Sequence, residues 1–367
     1  MNESPGTEFP GSATTLFEHA LRLHRSTPDA PLPRDGEPYP DEECRRGRPP
    51  TDPPRDRDQV GAAVAAVLDE HFRDPGSVPG RLMGRFRNVD VPIHPSARIA
   101  DAAVRAGARA REAGRWLVRH GTDRDDAVVG LALLAAVGTV DDVPHVQTIG
   151  LLSCTFGPLA AQALERLPGG EEPLLWLADR VAGWGRVYVV EALCRRADGH
   201  PDVRQWLLRR AVDGDFLNGY FAGEVARTTR LHEVLDGARV DTEIVDHAGD
   251  LLLVLTYSQG MGTTLESCPH ADRLLAGHLS HLERLGPSPG RYHTSALLVR
   301  SLGEGGDPGS IGPVRRWRPY RDGYRALLDR DDWCATARTA VADGHQAIVR
   351  LVETATDSEL RAFPPSP

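Results

Sequence analysis

The sequence predicts an all-α protein: a right-handed α-solenoid of stacked helical hairpins, preceded by a proline-rich arm. Pro144, Pro173 and Pro201 open three segments that are 29 and then 28 residues apart. In each segment the pattern predicts a helix of about ten residues, a glycine-containing break and a second helix. A regular period in this range is typical of hairpins that bury their apolar faces only against neighbouring hairpins. An apolar residue follows each proline by 20 positions: Leu164, Leu193 and Phe221.

The N-terminal arm covers residues 1–57, which hold 11 prolines and therefore form little helix. Within it, residues 28–41 combine proline with polar residues, which favours an extended, polyproline-like path with one turn. Leu32 and Tyr39 are apolar anchors, so we expect this part of the arm to lie ordered against the solenoid. Residues 43–57 are dominated by Arg, Asp and Pro and are expected to be disordered.

The remaining chain divides by composition into a solenoid at 58–302, a glycine-rich hinge at 303–312 and a helical cap at 313–367. Apolar residues recur at helical spacing, and prolines fall in first turns, where their missing N–H has no helical partner in any case. Gly121 is expected to join the first hairpin. The predicted helices are 13–25, 58–73, 97–120, 123–137, 143–153, 157–167, 173–182, 185–196, 201–212, 216–228, 242–257, 271–285, 292–302, 314–328 and 331–354.

Charge and hydropathy exclude some classes of protein. The formal net charge of −9 and the sequence pI of about 5.9 disfavour a general nucleic-acid binder. No run of 18 apolar residues occurs and no charged-then-apolar leader begins the chain, so we expect a soluble, unexported, cytoplasmic protein without a membrane partner. The five cysteines are far apart and form no CxxC pair, which favours reduced thiols that serve as small core residues.

The sequence contains no lysine, so all 43 basic side chains are arginine. No Schiff base to pyridoxal phosphate or to a carbonyl substrate can therefore form on a lysine. A phosphate-binding loop of the GxxxxGK[ST] type and the strand lysine of a protein kinase are excluded for the same reason.

The helical pairs, with a proline in the first helix, a glycine between the helices and leucine-rich packing, resemble HEAT-like repeats. The resemblance covers residues 123–231 regularly and 242–302 loosely, and the short period is similar to that of the bilin-lyase-like variety. Residues 31–40 and 184–193 are also similar to a group of bacterial helical-repeat proteins, some of which are labelled terpene hydroxylases. The resemblance implies an α-solenoid whose second helices line a concave binding face.

Because the resemblance implies a concave face, the function that we favour is a non-catalytic scaffold. It would bind a protein or peptide in the groove of that face. Aromatic and arginine side chains are natural anchors for such a partner. The groove could also hold the arm itself, with the acidic residues 41–43 facing arginines. Two alternatives are structural: Asn218 can cap a helical turn, and Glu191 can pair with Arg186. The groove candidates on the second helices are Arg186, Tyr188, Glu191, Asn218, Tyr220 and Glu224.

An enzyme of unrecognised type, using histidine, arginine and carboxylate groups in the same groove, is the alternative function. The sequence has no GxSxG nucleophile motif, and the Gly183–Gly185 stretch lacks the third glycine of a dinucleotide-binding loop. We therefore expect no cofactor, and the hydroxylase label has no motif to support it. The histidines of the three repeats fall at helix starts or turns, which favours the scaffold: His145, His200 and His232.

The best set of metal-ligand residue types combines Cys268 and His270 with His278 and His281. The last two are three residues apart on one predicted helix, so their rings could face the same way. The spacing matches no zinc pattern, and we expect these residues to be structural.

A basic and aromatic cluster opens the C-terminal cap, and its arginines could contact phosphates while its aromatic rings stack on bases. The negative net charge and the acids that follow instead favour a solvated, ion-paired surface. Nucleic-acid binding is therefore the weaker alternative. The arginines of this cluster are Arg315, Arg316, Arg318 and Arg321.

Overall fold

The computed structural model describes residues 14–46, 56–304, 313–354 and 360–363. Within these ranges the protein is built from 19 α-helices and a few short 3-10 helices, without a β-strand. The all-α class predicted from the sequence is therefore confirmed. The chain divides into two compact units, Met1–Leu193 (unit 1) and Cys194–Pro367 (unit 2), so the boundary falls inside the predicted solenoid.

Unit 1 is built from helices that pack on their neighbours in the chain. They are α1 (Leu16–Ser26), α2 (Glu42–Arg46), α3 (Arg57–Arg73), α4 (Ala97–Ala106), α5 (Ala108–His120), α6 (Arg124–Val137), α7 (Val143–Gly150), α8 (Ser153–Arg166), α9 (Glu171–Ala178) and α10 (Gly183–Arg196), the last of which ends in unit 2. Helix α5 packs on α6, α6 on α8, and α7 on both α8 and α9. Helix α1 lies against α5 and α7.

The hairpin of α5 and α6 depends on glycine at close approaches. The sequence predicts one helix over 97–120, but Gly107 divides it, because its φ of +56° and ψ of −122° are rarely adopted by other residues. In the following pair, a Cβ on Gly130 would lie 2.7 Å from Leu117 Cβ and 2.9 Å from the Gly114 carbonyl oxygen. A side chain at Gly130 would therefore force the two helices apart.

Unit 2 is organised around α14, which contacts α11, α12, α15 and α16. Helix α16 also packs against α17, α18 and α19, so the C-terminal helices join the same body. The helices of this unit are α11 (Pro201–Arg210), α12 (Ala222–Thr228), α13 (Leu231–Leu235), α14 (Thr242–Tyr257), α15 (Ala271–Leu285), α16 (Pro289–Glu304), α17 (Pro313–Leu328), α18 (Asp331–Ala342) and α19 (Gln346–Thr354).

The three prolines that mark the predicted period all lie in the first turn of a helix, namely α7, α9 and α11. The apolar residues 20 positions after them are completely buried: Leu164, Leu193 and Phe221. Several helix starts differ from the prediction. Helix α8 begins at Ser153 and carries Gly157 inside it, and α9 and α10 begin at Glu171 and Gly183. The three prolines and the three buried residues are therefore placed as predicted, while the limits of individual helices differ.

Two other predicted helices are divided in the structure. Gly344, with a φ of +73°, separates α18 from α19 within the predicted 331–354 helix. The predicted 216–228 helix begins as the 3-10 helix Phe216–Tyr220 and continues as α12. Residues 305–312 of the predicted hinge and residues 47–55 of the predicted disordered tail lie outside the described residues.

Candidate functional site

Residues 28–46 of unit 1, the 28–46 segment, run across the N-terminal ends of two helices. The two side chains that the sequence singles out as anchors, Leu32 and Tyr39, are only 5% and 3% exposed. Between them the chain makes a tight turn in which Arg34 and Asp35 adopt left-handed φ angles of 50° and 54°. Non-glycine residues rarely take this conformation, so contacts around the turn must stabilise it.

Asp35 occupies the N-terminus of α8. Its Oδ1 accepts hydrogen bonds from Ser153 N (2.9 Å) and Ser153 Oγ (2.6 Å), and its Oδ2 accepts one from Cys154 N (2.6 Å). Leu152 stands at the N-cap position and cannot cap the helix with its side chain. Asp35 therefore caps α8 from a distant part of the chain. Its carboxylate accepts from the N–H groups that have no partner within the helix. Burial raises the pKa of Asp35, and these hydrogen bonds oppose that rise.

Helix α1 holds the turn from the other side. His19 Nε2–H donates to the Gly36 carbonyl oxygen at 2.7 Å, and Arg22 donates to the other ring nitrogen of His19 at 2.9 Å. Gly36 has a φ of +83° and packs against Leu152, where a Cβ would overlap the leucine side chain. The turn thus fits a shaped surface made by α1 and the residues that precede α8.

Tyr39 is buried between the segment and α6. The guanidinium of Arg124 lies over its ring, 4.8 Å from the ring centre, which is a favourable cation–π geometry. Its hydroxyl donates to the backbone carbonyl of Asp35 (3.3 Å) and to the Asp35 carboxylate (3.2 Å). Burial and the neighbouring Asp35 raise the pKa of Tyr39, so the hydroxyl stays protonated as a donor.

Asp41 occupies the N-terminus of the second helix, α6. Arg124 N donates to Asp41 Oδ2 at 2.9 Å, and Arg124 Nε donates to Oδ1 and Oδ2 at 2.9 and 3.1 Å. The same guanidinium reaches Glu42 through Nη2 at 2.9 Å. Asp41 is 2% exposed. A carboxylate buried to this degree depends on such partners, because its charge is otherwise costly to remove from water.

Weaker contacts lie at the two ends of the segment. Arg180 donates to the Pro28 carbonyl (2.7 Å) and to Asp29 (3.0 Å), and Arg45 donates to Asp125 (3.0 Å). The Asp29 side chain is 87% exposed, so solvent screens its ion pair and the pair adds little stability. The central anchors therefore dominate the docking of the segment.

Together the anchors define a recognition pattern, Asp-x-x-x-Tyr-x-Asp, that begins at Asp35 and ends at Asp41. Both carboxylates bind main-chain N–H groups at helix N-termini, where the helix dipole favours negative charge. The aromatic ring between them is covered by Arg124. This surface therefore holds a turn of the chain through two carboxylates and one aromatic side chain.

The sequence pattern predicts Leu32 and Tyr39 as anchors, whereas Asp35 and Arg124 belong to no pattern that marks them. One local signal was present, because Leu152 leaves α8 without a polar N-cap and a helix end of this kind needs a partner from elsewhere. The identity of that partner depends on a contact over 118 residues, which local spacing does not contain.

The three groove candidates of unit 1 lie on α10. Arg186 is 8% exposed and donates to the Ala178 carbonyl at 3.1 Å, so its guanidinium holds the C-terminal end of α9. Tyr188 is half-buried and stacks on Trp184, with the ring centres 6.1 Å apart. Glu191 is half-buried as well. An aromatic edge is therefore present on this helix, while Arg186 points inward.

The three groove candidates of unit 2 lie around the 3-10 helix and α12. Asn218 is 1% exposed and closes a loop, because its Oδ1 accepts from Asp213 N (2.8 Å) and its Nδ2 donates to the Asp213 carboxylate (3.0 Å). Tyr220 is 38% exposed. Glu224 pairs with Arg227, whose hydrogen bond lowers the pKa of that carboxyl. The six candidates are thus divided between two units, and a single groove lined by all of them stays a prediction.

The residues considered as metal ligands make separate contacts. Cys268 is 7% exposed, and His270 stacks on a histidine ring at the start of α13, with centres 3.8 Å apart. His278 Nδ1 accepts from the Tyr324 hydroxyl at 2.7 Å, whereas His281 Nε2 donates to a carbonyl of α13 at 2.9 Å. Throughout the described parts of the chain, no three His, Cys, Asp or Glu side chains are grouped to hold a metal ion.

The C-terminal arginine cluster is engaged with acids on α15 and α17. Arg316 pairs with Asp272, and Arg318 and Arg321 approach Asp322 at 3.6 and 3.2 Å. The side chain of Arg315 lies outside the described residues. The described arginines of this cluster therefore have acidic partners within unit 2.

No protein-family model, curated protein or solved structure matches this chain. The helices of the described ranges include none with the length and apolar content needed to cross a bilayer.

Proposed function

We propose that the protein is a non-catalytic, HEAT-like helical scaffold whose unit 1 binds acidic peptide segments containing proline and tyrosine. In this proposal its own 28–46 segment occupies the site. One observation carries it: Asp35, Tyr39 and Asp41 dock within seven residues on the N-termini of α8 and α6. Successive packing among α7, α8 and α9 supports the repeat architecture on which the site is built.

The kind of contact favours recognition of a peptide over general core packing. The segment is fixed by carboxylates on main-chain N–H groups and by one aromatic ring, which is how helix termini and arginines select acidic motifs. The turn also holds two non-glycine residues, Arg34 and Asp35, in a left-handed conformation, which costs about 1–3 kcal/mol for each. A peptide with the same anchors could therefore compete for this surface.

A segment tethered to its own site competes at an effective concentration on the order of millimolar, so a free peptide should bind the intact protein weakly. We would measure fluorescence anisotropy of a labelled peptide comprising residues 31–43, with full-length protein. The receptor variant carries Asp35→Ala, Tyr39→Ala and Asp41→Ala, which weakens the tethered segment and leaves α6 and α8 unchanged. We expect this variant to bind the peptide at least tenfold more tightly than the wild type does.

Two controls define the chemistry. A peptide with Asp35→Asn and Asp41→Asn should lose most of its affinity, because the helix N-termini and Arg124 favour charge. A Glu43→Ala protein should behave as wild type, since Glu43 is exposed in the same segment. The proposal is wrong if the triple variant keeps its circular dichroism spectrum and binds neither peptide, or binds both equally.

The two alternatives receive less support. Nucleic-acid binding would use arginines that already pair with Asp272 and Asp322. No arrangement of the groove candidates specifically favours an enzyme.

A further inference from the structure

A small pocket of unit 2 lies between α14, α15 and α16, apart from the 28–46 segment. Its volume is about 120 Å³, enough for roughly four water molecules or the end of one small organic molecule. Polar side chains and one leucine line it: Asp246, Asp250, His278, Leu282, Ser288, Arg291 and Thr294.

The charges around the pocket leave one carboxylate without a counter-ion. Asp246 forms a two-point ion pair with Arg291, with N–O distances of 2.7 and 3.2 Å. Arg291 also donates to the Gly286 carbonyl at 3.1 Å, so its guanidinium is engaged. Asp250 accepts a hydrogen bond from the Thr294 hydroxyl at 3.1 Å and, among the described residues, has no arginine or histidine at ion-pair distance.

The histidine in the wall adds no charge to the pocket. His278 accepts from the Tyr324 hydroxyl and has a backbone hydrogen bond with Val245. Burial, followed by His281, lowers the pKa of His278 to about 3, so the ring is neutral. Asp246 is paired with Arg291, and desolvation, with a smaller contribution from Asp246, raises the pKa of Asp250 to about 6. At neutral pH Asp250 is therefore ionised and gives the pocket one unpaired negative charge.

Two glycines shape the pocket. A Cβ on Gly249 would lie 2.9 Å from His278 Nε2 and 3.1 Å from the Thr294 methyl carbon, so α14 approaches its neighbours closely at this point. Gly290, in contrast, is an exposed residue of the pocket lining, and a Cβ there would meet no atom within 4 Å. A larger side chain at Gly290 would therefore extend into free space without displacing a neighbour.

From these features we infer that the pocket binds the cationic end of a small primary amine, with Asp250 as its counter-ion. The hydroxyls of Ser288 and Thr294 supply polar contacts, and Leu282 supplies an apolar wall for the first methylene groups. A hard divalent cation would require more oxygen ligands than one free carboxylate and two hydroxyls provide. An anion is disfavoured because Arg291 is already paired.

The test is a ligand-observed NMR titration of the full-length protein with n-butylammonium, and with n-butanol as the uncharged analogue. For a ligand of this size we expect a Kd on the order of 1 mM. Asp250→Asn should weaken binding at least tenfold while keeping an acceptor for Thr294. Gly290→Leu should weaken binding by at least tenfold, because it adds a bulky side chain to the pocket lining. Asp343→Asn, which removes an exposed charge elsewhere in the unit, should leave binding unchanged.

Several results would overturn the inference. n-Butanol binding as tightly as the ammonium would mean an apolar cavity, and full competition by millimolar Ca²⁺ or Mg²⁺ would mean a metal site. Unchanged binding to either folded pocket variant would place the amine elsewhere. Asp250→Asn removes a charge, whereas Gly290→Leu adds bulk. If one of these variants does not fold, the other still tests the inference.

Discussion

The peptide site depends on Asp41, and its replacement by alanine should loosen the segment in a measurable way. Asp41→Ala removes the carboxylate that accepts from Arg124 N and pairs with the Arg124 side chain. Breaking a buried pair typically costs about 3–5 kcal/mol. The Arg124 side chain is 18% exposed and keeps Glu42 and the Tyr39 ring as partners, so we expect about 3 kcal/mol. At 1.36 kcal/mol for each factor of ten, local opening becomes about 150-fold more frequent.

Hydrogen–deuterium exchange with mass spectrometry measures this opening directly. Peptides that cover residues 38–46 and the first turn of α6 should exchange about 150-fold faster in Asp41→Ala, because local opening controls exchange. Glu43→Ala is the matched control, since it removes the same charge from an exposed position two residues further along the segment, in α2. Equal exchange in the two variants would refute the role assigned to Asp41.

Three further predictions concern unit 1 and can be checked by hydrogen exchange of α5 and α6. Gly130→Ala should destabilise the hairpin by about 1–3 kcal/mol through overpacking, although alanine is the better helix former. Gly107→Ala should lower the free energy of unfolding by about 1–3 kcal/mol, because the backbone of an alanine is strained at a φ of +56°. Burial raises the pKa of Asp126 to about 6, against about 3.9 in an unfolded chain. The stability from its protonation is therefore present below pH 4 and lost as the pH rises through 6. Wild type should lose up to about 3 kcal/mol over this range relative to Asp126→Asn.

The controls for these predictions lie in the same unit. Gly76→Ala should be nearly neutral, because Gly76 is exposed and only the Asp74 side chain lies near its would-be Cβ, at 3.5 Å. Exchange in Gly107→Ala no faster than in Gly76→Ala would contradict the strain at Gly107. Parallel pH profiles for wild type and Asp126→Asn would contradict the raised pKa.

Much of the helical structure could be predicted because its determinants are local. Helices α14 and α15 begin and end where the sequence places them, since each has a long apolar stripe. Asp241 also caps α14 by accepting from Glu243 N at 2.8 Å. The breaks at Gly107 and Gly344 were missed, because a glycine inside a helical pattern is often tolerated and its φ depends on packing.

The candidate site could be predicted only in part, because its contacts link distant parts of the chain. Tyr39 stood out as an aromatic residue in a proline-rich stretch. Asp35 resembles the other acids of the arm until α8 places N–H groups beside it, 118 residues away. The acids 41–43 were expected to face arginines, but the arginine that Asp41 meets, Arg124, lies 83 residues away and could not be named. Arg186 and Asn218 are both buried, so of the two roles that the sequence leaves open for them, groove contact and structural contact, burial favours the structural one.

A double-mutant cycle between the peptide and the receptor tests most directly whether unit 1 recognises acidic segments through Arg124. The labelled 31–43 peptide, with and without Asp41→Asn, would be titrated into the triple variant, with and without Arg124→Gln. We predict a coupling of at least about 1.4 kcal/mol, a tenfold difference in Kd, because the pair is charged and largely buried. Additive effects, with a coupling below about 0.3 kcal/mol, would contradict recognition of the peptide at this site.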